Sequence, residues 1–282
     1  MEKFKRRDFI KTSAVVTGGI ALNASSLSSV FAAGTDEIKV ALVGCGGRGT
    51  GAAVDALNSG QNVKLVALAD VFRDNLDSAF NNLSKRYADK MDIPESRKYV
   101  GFDAYKHAIK DADVVLLVTP PGFRPEHFEE AVRQGKHVFM EKSVAVDVPG
   151  VRRVLEAAKI AEQKKLNVVV GLQRRFQQNY REGIQRVQDG AIGDIVAGQV
   201  YWNSGGVWVR PRTPEQTEME YQMRNWYYFN WLCGDHIVEQ HVHNIDVANW
   251  IKGKYPVSIQ GVGSRAHRVG KDYGEIYDNF SI

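Results

Sequence analysis

Two cysteines in 282 residues, Cys45 and Cys233, are too few for a disulfide framework and show no metal-binding spacing. Long apolar runs are missing as well. The most membrane-like stretch, Ala14–Leu22, falls well short of the roughly 20 residues that cross a bilayer, which argues against a permanent membrane helix. Charge of one sign is equally scarce. The formal net charge is +4, but Lys3, Lys5, Arg6, Arg7 and Lys11 against Glu2 and Asp8 contribute +3 of it, leaving about +1 for everything after residue 32. No basic stripe remains for a nucleic-acid partner. There is no internal repeat and no low-complexity tract. With 44% hydrophobic and 25% charged residues, a chain of this length reads as globular, with two domains expected.

What is present is organised around Ile38–Gly49. The apolar run Val40–Val43 enters Gly44, Gly46 and Gly49, which carry the spacing G-x-G-x-x-G. Gly44 permits the tight turn, Gly46 lets the backbone approach a pyrophosphate, and Gly49 lets the next helix pack closely. The helix N-terminus presents N–H groups and a positive dipole end to phosphates. A second strand-like run, Val63–Ala69, ends in Asp70, 21 residues after Gly49, where a carboxylate would take the ribose hydroxyls. This predicts a nucleotide-binding βαβ unit rather than an ordinary glycine turn. Asp70 favours NAD, whereas Arg73 would accommodate the 2′-phosphate of NADP, which stays open. Arg48 either touches phosphate or is solvated.

Strand-like and helix-like segments then alternate. Asp74–Lys90, Phe128–Gln134 and Val148–Gln163 read as helices, and Tyr99–Phe102, Val114–Val118, His137–Met140 and Val168–Val170 as strands. The fold class expected is α/β: a doubly wound parallel sheet over residues 34–171, with the Gly44 loop, Thr119–Gly122 and Glu141–Ser143 as the strand exits facing the cofactor. From Leu172 the texture changes. Tyr180–Gln188 looks helical, Ile195–Trp202 alternates like a half-buried strand, and 203–224 is loop-like. Asp235–Ile251 is a strong helix candidate with Asp235 as N-cap and Gly253 as stop. Val257–Val262 and Ile276–Ile282 look like strands. Residues 172–282 are thus expected to form an α+β domain with a largely antiparallel open sheet, incomplete at its C-terminal side and exposing an edge.

Chemistry concentrates on the last helix. Taking about 100° per residue from Glu239, His243 falls at about 40°, Asp246 at about −20° and His236 at about 60°, all on one face. Val238, Val242 and Ile245 form the flank expected to be buried, and His241 points away. Lys142, directly after the strand His137–Glu141, is either a surface lysine or sits at the reacting end of the cofactor. A neutral imidazole can remove a hydroxyl proton near pH 7, and an ammonium can stabilise the alkoxide that develops. Trp202, Trp208, Trp226 and Trp231, with Tyr227, Tyr228 and nearby Arg210, Arg212 and Arg224, suit either a pyranose or cyclitol face or ordinary packing. Candidate substrate contacts are Arg174, Trp202, Trp208, Arg224, Trp226 and His236.

From about Glu37 onward the chain resembles the Gfo/Idh/MocA oxidoreductases: the glucose–fructose oxidoreductase, inositol dehydrogenase and rhizopine-catabolism family. The resemblance rests on the glycine loop with Asp70, on Thr119-Pro120-Pro121 with His127, on Gly135-Lys136-His137-Val138 leading to Glu141-Lys142, and on Glu239–Trp250. It implies a nicotinamide cofactor, NAD or NADP, held by Gly44, Gly46, Gly47, Arg48, Gly49, Asp70, Arg73, Thr119, Pro120, His127, Glu141 and Lys142, and expected to be tightly bound if the chain is exported, because free nicotinamide nucleotides are scarce outside the cytoplasm. The family's Glu-Lys-Pro motif maps to Glu141-Lys142-Ser143 and implies Lys142 as catalytic lysine. Its D-x-x-x-H-x-x-D pattern maps to Glu239, His243 and Asp246 and implies His243 as acid/base. Ser143 in place of proline makes a cis peptide after Lys142 unexpected. The resemblance also implies pairing of second-domain sheets into a homo-oligomer, which an incomplete sheet puts in question.

Residues 1–33 read as an export signal. Arg6-Arg7-Asp8-Phe9-Ile10-Lys11 resembles a twin-arginine motif, Ala14–Leu22 gives a short h-region, and Val30-Phe31-Ala32-Ala33 offers small residues for cleavage. A periplasmic or otherwise exported enzyme acting on a sugar, glycoside or cyclitol carbinol is therefore expected, with the twin-arginine machinery as partner. Three other readings stand beside it: a redox-neutral NAD-dependent glycosidase or lyase of the same fold, a metal-assisted hydrolase or lyase using His236, Glu239 and His243, and an inactive sugar-binding remnant.

Overall fold

A computed structural model describes residues 37–60 and 62–282, so the export-signal reading of 1–33 lies outside the described residues. The first half alternates strand and helix: β1 (Ile38–Val43), α1 (Gly47–Asn58), β2 (Val63–Asp70), α2 (Arg73–Tyr87), β3 (Lys98–Val100), α3 (Ala104–Asp111), β4 (Val114–Leu117), α4 (Arg124–Arg133), β5 (His137–Met140), α5 (Val148–Gln163) and β6 (Val168–Val170). The strands form one parallel sheet in the order β3-β2-β1-β4-β5-β6. This is the doubly wound order whose direction reverses between β1 and β4, the crevice where such sheets bind ligands.

Alternation along the strands divides the core. Val40, Leu42, Leu65 and Leu68 pack with Ala52, Leu57, Leu76 and Leu83 of α1 and α2 on one face. Ala41, Val43, Val115 and Leu117 pack with Ile109, Phe128, Val132 and Val154 of α3 to α5 on the other. Burial on both faces explains why β4 reads in the sequence as an unbroken apolar run.

The second half holds α6 (Gln178–Gln188), α7 (Glu218–Arg224), a single turn at Asn230–Cys233, a π turn at Ile237–His241 running into α8 (Val242–Lys252), and a two-stranded antiparallel sheet of β7 (Val262–Ser264) and β8 (Asn279–Ser281). Three expectations need correcting here. Ile195–Trp202 forms no strand; alternation alone does not hold a strand without a paired neighbour, and none is present among the described residues. The strands near the C-terminal side are short, Val262–Ser264 and Asn279–Ser281, instead of Val257–Val262 and Ile276–Ile282. The loop expected over 203–224 ends in α7, whose Thr217 side chain accepts the Glu220 N–H at 3.2 Å. A third core of Tyr221, Tyr227, Tyr228, Phe229 and Leu232 packs on Phe72 and Phe123, which follow the exits of β2 and β4. That contact seats the second half over the strand exits.

Candidate active site at the strand exits

The glycine loop has the form its sequence predicts. Gly44 has φ of +97°, and a Cβ there would press on the backbone of Val118 and Thr119. A Cβ on Gly49 would collide with the Gly44 carbonyl. Gly46 and Gly47 instead face open space, with nothing within 4 Å of an added Cβ, at the start of α1. Asp70 Oδ2 accepts the Cys45 N–H at 2.7 Å and Oδ1 the Phe72 N–H at 2.8 Å, so this carboxylate fastens the loop to the end of β2. Burial raises its pKa despite those donors. Arg73 turns to Asp77 and Glu95. Arg48 Nε meets Glu141 Oε1 at 2.6 Å, linking the loop to the exit of β5.

A cleft of about 370 Å³ runs over this loop, lined by Gly46, Gly47, Phe72, Val118 and Pro120 from below and by Trp208, Arg210, Arg224 and Trp226 from the second half. Trp208, Trp226 and Arg224, expected at the substrate, therefore wall the glycine-loop cleft. Arg224 pairs with Asp74 at 3.0 Å and lies 3.9 Å over the Phe72 ring. The open backbone at Gly46 and Gly47 and the N-terminus of α1 fit a dinucleotide's phosphates. Thr119 Oγ1 lies 3.2 Å from His127 Nδ1, and His127 stacks on Tyr105 at 4.1 Å. Burial, with the Arg124 charge, lowers the His127 pKa to about 3, so this ring is a neutral part of the loop's support.

At the exit of β5 the chain brings Lys142 to the π turn. Lys142 Nζ donates to Glu239 Oε1 at 2.6 Å and to the Glu239 carbonyl. Ser143 Oγ donates to the Val238 carbonyl at 2.6 Å. The Lys142–Ser143 peptide is cis, which corrects the expectation drawn from the missing proline; side chains on both sides of it are tied to consecutive residues of the π turn. Asp235 is likewise not a simple N-cap. It has φ of +68°, and its carboxylate accepts the N–H groups of His236 and Tyr277.

Glu239 and His243 are both 6% exposed. Glu239 Oε2 is buried with no partner among the described residues. Burial raises the Glu239 pKa, against the opposing charges of Lys142 and Arg124. Burial, then the charges of Lys142 and Arg174, lowers the His243 pKa to about 4, leaving a neutral imidazole at pH 7. Its ring stacks on Trp202 at 5.8 Å, and Arg174 lies 5.7 Å from the same tryptophan and bonds Asn244. His236 Nδ1 is 3.2 Å from the Tyr227 hydroxyl.

Two readings of this helix change. Asp246, expected on the face of His243 as part of the D-x-x-x-H-x-x-D pattern, is held by Arg175 through two bonds of 2.8 and 2.7 Å. The polar face carrying Glu239 and His243 is the buried one, while Val238, Val242 and Ile245 are half-exposed and line a groove with Val144, Val170 and Leu172. No group of three or more His, Cys, Asp or Glu side chains is placed to hold a metal ion among the described residues, so the ligand set His236, Glu239 and His243 does not assemble. Sequence reasoning missed Arg175 and the fully buried Arg124, for which only the fold supplies a signal.

Residues 38–172 match the family described as an oxidoreductase family with NAD-binding Rossmann fold. An inositol 2-dehydrogenase of Rhizobium meliloti (strain 1021) is 26% identical over 229 residues, 80% of this chain and 59% of that protein. A glycosyl hydrolase family 109 protein of Shewanella baltica (strain OS195) is 26% identical over 219 residues, 71% of this chain and 46% of that protein. The solved structure of a scyllo-inositol dehydrogenase from Lactobacillus casei, with NAD(H) and scyllo-inositol bound, superposes with a TM-score of 0.57 at 25% identity, covering 82% of this chain and 61% of that one. The chain thus spans less than two thirds of the length of these relatives. Segment 38–172, just under half of the chain, resembles the NAD-binding Rossmann oxidoreductases of the Gfo/Idh/MocA family.

Proposed function

We propose that this protein is an NAD(P)-dependent oxidoreductase acting on a CH–OH carbon of a cyclitol, sugar or glycoside. The observation that carries the reading is the meeting of Lys142, from a strand exit of the dinucleotide fold, with the buried Glu239 one helical turn before a neutral His243. NAD would be held by Gly44–Gly49, Asp70, Thr119 and Pro120, and when bound it supplies the hydride acceptor or donor. His243 takes the substrate hydroxyl proton, as a neutral imidazole can at pH 7. The Lys142 ammonium stabilises the alkoxide. Glu239 holds Lys142 through Oε1 and has Oε2 free to accept a second substrate hydroxyl. Trp202 and Arg174 line the His243 side, where a ring with apolar C–H faces and a hydroxyl rim can stack.

The same reading includes export through residues 1–33 and a cofactor that stays bound. The test is purification of the full chain from the exported fraction, identification of any bound nicotinamide, and reduced-nicotinamide absorbance with a panel of inositols, aldoses and aryl glycosides. Absorbance change with a cyclitol or aldose is the expected result. The family 109 relatives favour one alternative, glycoside cleavage with no net absorbance change. Absence of any nicotinamide binding ends both, and sugar binding without turnover assigns a binding role.

A further inference from the structure

Arg124 is the most deeply buried charged side chain among the described residues, at 1% exposure. It opens α4, directly after the Pro120–Phe123 turn, and points back beneath the strand exits. Its Nη1 donates to the carbonyls of Leu117 at 3.1 Å and Glu141 at 2.9 Å, and Nη2 donates to the carbonyl of Thr119. Leu117 and Thr119 lead out of β4, and Glu141 leads out of β5. One planar group therefore ties together the loop that lines the cofactor cleft and the residue that precedes Lys142.

No carboxylate pairs with Arg124 within 4.0 Å among the described residues, and its Nε has no partner. Burying a cation without a contacting anion is costly. Burial accordingly draws its pKa down to about 10, with Glu239 and Glu141 the carboxylates whose charge opposes this. Around Glu239 stand Lys142 and Glu141 from the β5 exit, Arg124 from α4, and Tyr227 and Cys233 from the segment before the π turn. Arg124 is the one cation of this group that makes no direct contact with Glu239.

We propose that Arg124 is a positioning residue of the active site: it fixes the Thr119–Pro120 loop and the Glu141–Lys142 segment in one register, and it supplies the second cation that holds Glu239 as a carboxylate opposite Lys142. The catalytic consequence rests on the function proposed above; the structural one does not.

The test uses the full chain with Arg124→Gln and Arg124→Lys, melted from about pH 5 to about pH 8. A carboxyl whose folded pKa is raised above its unfolded value is destabilising once it must ionise, so its cost grows as pH rises. Removing the Arg124 charge raises Glu239 further. The melting gap between wild type and Arg124→Gln is therefore expected to widen with pH, by roughly 3 °C or more, while the gap for Arg124→Lys stays flat. His127, which Arg124 also lowers, shifts the gap in the same direction below its ordinary range. Repeating the pair in a Glu239→Gln background isolates the carboxylate, and there the widening should shrink. In turnover, Arg124→Gln moves the acidic limb of the pH–rate profile upward, whereas Arg124→Lys lowers kcat roughly tenfold with the limb in place.

Equal, parallel gaps for both variants, or a widening unchanged in the Glu239→Gln background, would overturn the proposal. If Arg124→Gln does not fold, the double variant with Glu239→Gln should. Failure of the double as well leaves Arg124 with a packing role only and also overturns it. The melts need neither cofactor nor substrate, so they decide this proposal even if the chain turns over no alcohol.

Discussion

His243 shows how burial would prepare the proposed base. Its pKa is lowered to about 4 chiefly by desolvation, so the imidazole is unprotonated across the neutral range and its acidic limb lies below the ordinary histidine value. His243→Asn is expected to reduce kcat by roughly 10²- to 10⁴-fold with NAD affinity unchanged, measured by fluorescence titration beside steady-state kinetics. A loss in binding equal to the loss in kcat would move His243 out of the proton-transfer role. The spacing of Glu239 and His243 was legible in the sequence because helical geometry alone puts them on one face. The pairing of Asp246 with Arg175 was not, because it joins residues 71 apart. Arg124 was hidden for a related reason: nothing in the run Gly-Phe-Arg-Pro-Glu says that the arginine faces inward.

The glycine loop and the π turn place these residues. In the loop, the two kinds of glycine separate cleanly. Gly49→Ala would drive a methyl into the Gly44 carbonyl and is expected to destabilise the fold by about 3 kcal/mol. Gly46→Ala meets no atom, so its melting temperature should stay near wild type while NAD binding weakens at least about tenfold, since the methyl stands where phosphate must approach. Parallel melts and NAD titrations check both; normal NAD affinity in Gly46→Ala would place the pyrophosphate elsewhere. The π turn holds one extra residue between Glu239 and His243. Deleting Gln240 should regularise the helix and leave Glu239 and His243 three positions apart, about 60° around it, so helix content by circular dichroism is kept while the altered aim of Glu239 toward Lys142 lowers kcat at least about tenfold. Most strands and helices before residue 172 could be read within a few residues because each repeats its period in a buried setting, but α3 (Ala104–Asp111), only eight residues long, was not. After residue 172 the elements depend on partners that periodicity does not name, as Ile195–Trp202 shows. The capping pattern Thr217-x-x-Glu220 was a usable signal for α7.

One end of the parallel sheet gathers the segments that line the glycine-loop cleft and the one that carries Lys142. Gly44, Asp70, Thr119 and Glu141 all leave strands at the same side, and the order reversal between β1 and β4 opens the crevice between them. No helix among the described residues is long and apolar enough to cross a membrane. Three buried histidines, His127, His236 and His243, are lowered to about 3, about 4 and about 4. In the unfolded chain they bind protons from about pH 6.5 downward, so the stability these three rings contribute is whole above that value and declines as pH falls toward 4. Thermal melts should show this acid loss, and Gln in place of His127 and His236 should blunt it. An acid loss no smaller in the His127→Gln and His236→Gln variants would mean these rings are wetter than their surroundings imply.

Cys45 lies inside the turn that must admit the cofactor, its thiol sealed against the Ala69 carbonyl, and Cys233 is sealed in a separate core. With both sulfurs inaccessible, an alkylating reagent reaches Cys45 only while that turn is sprung open. The rate of its modification, followed by mass spectrometry, therefore serves as a stopwatch for breathing of the dinucleotide cradle. NAD should slow that clock, with Cys233 keeping unaltered time as the internal standard.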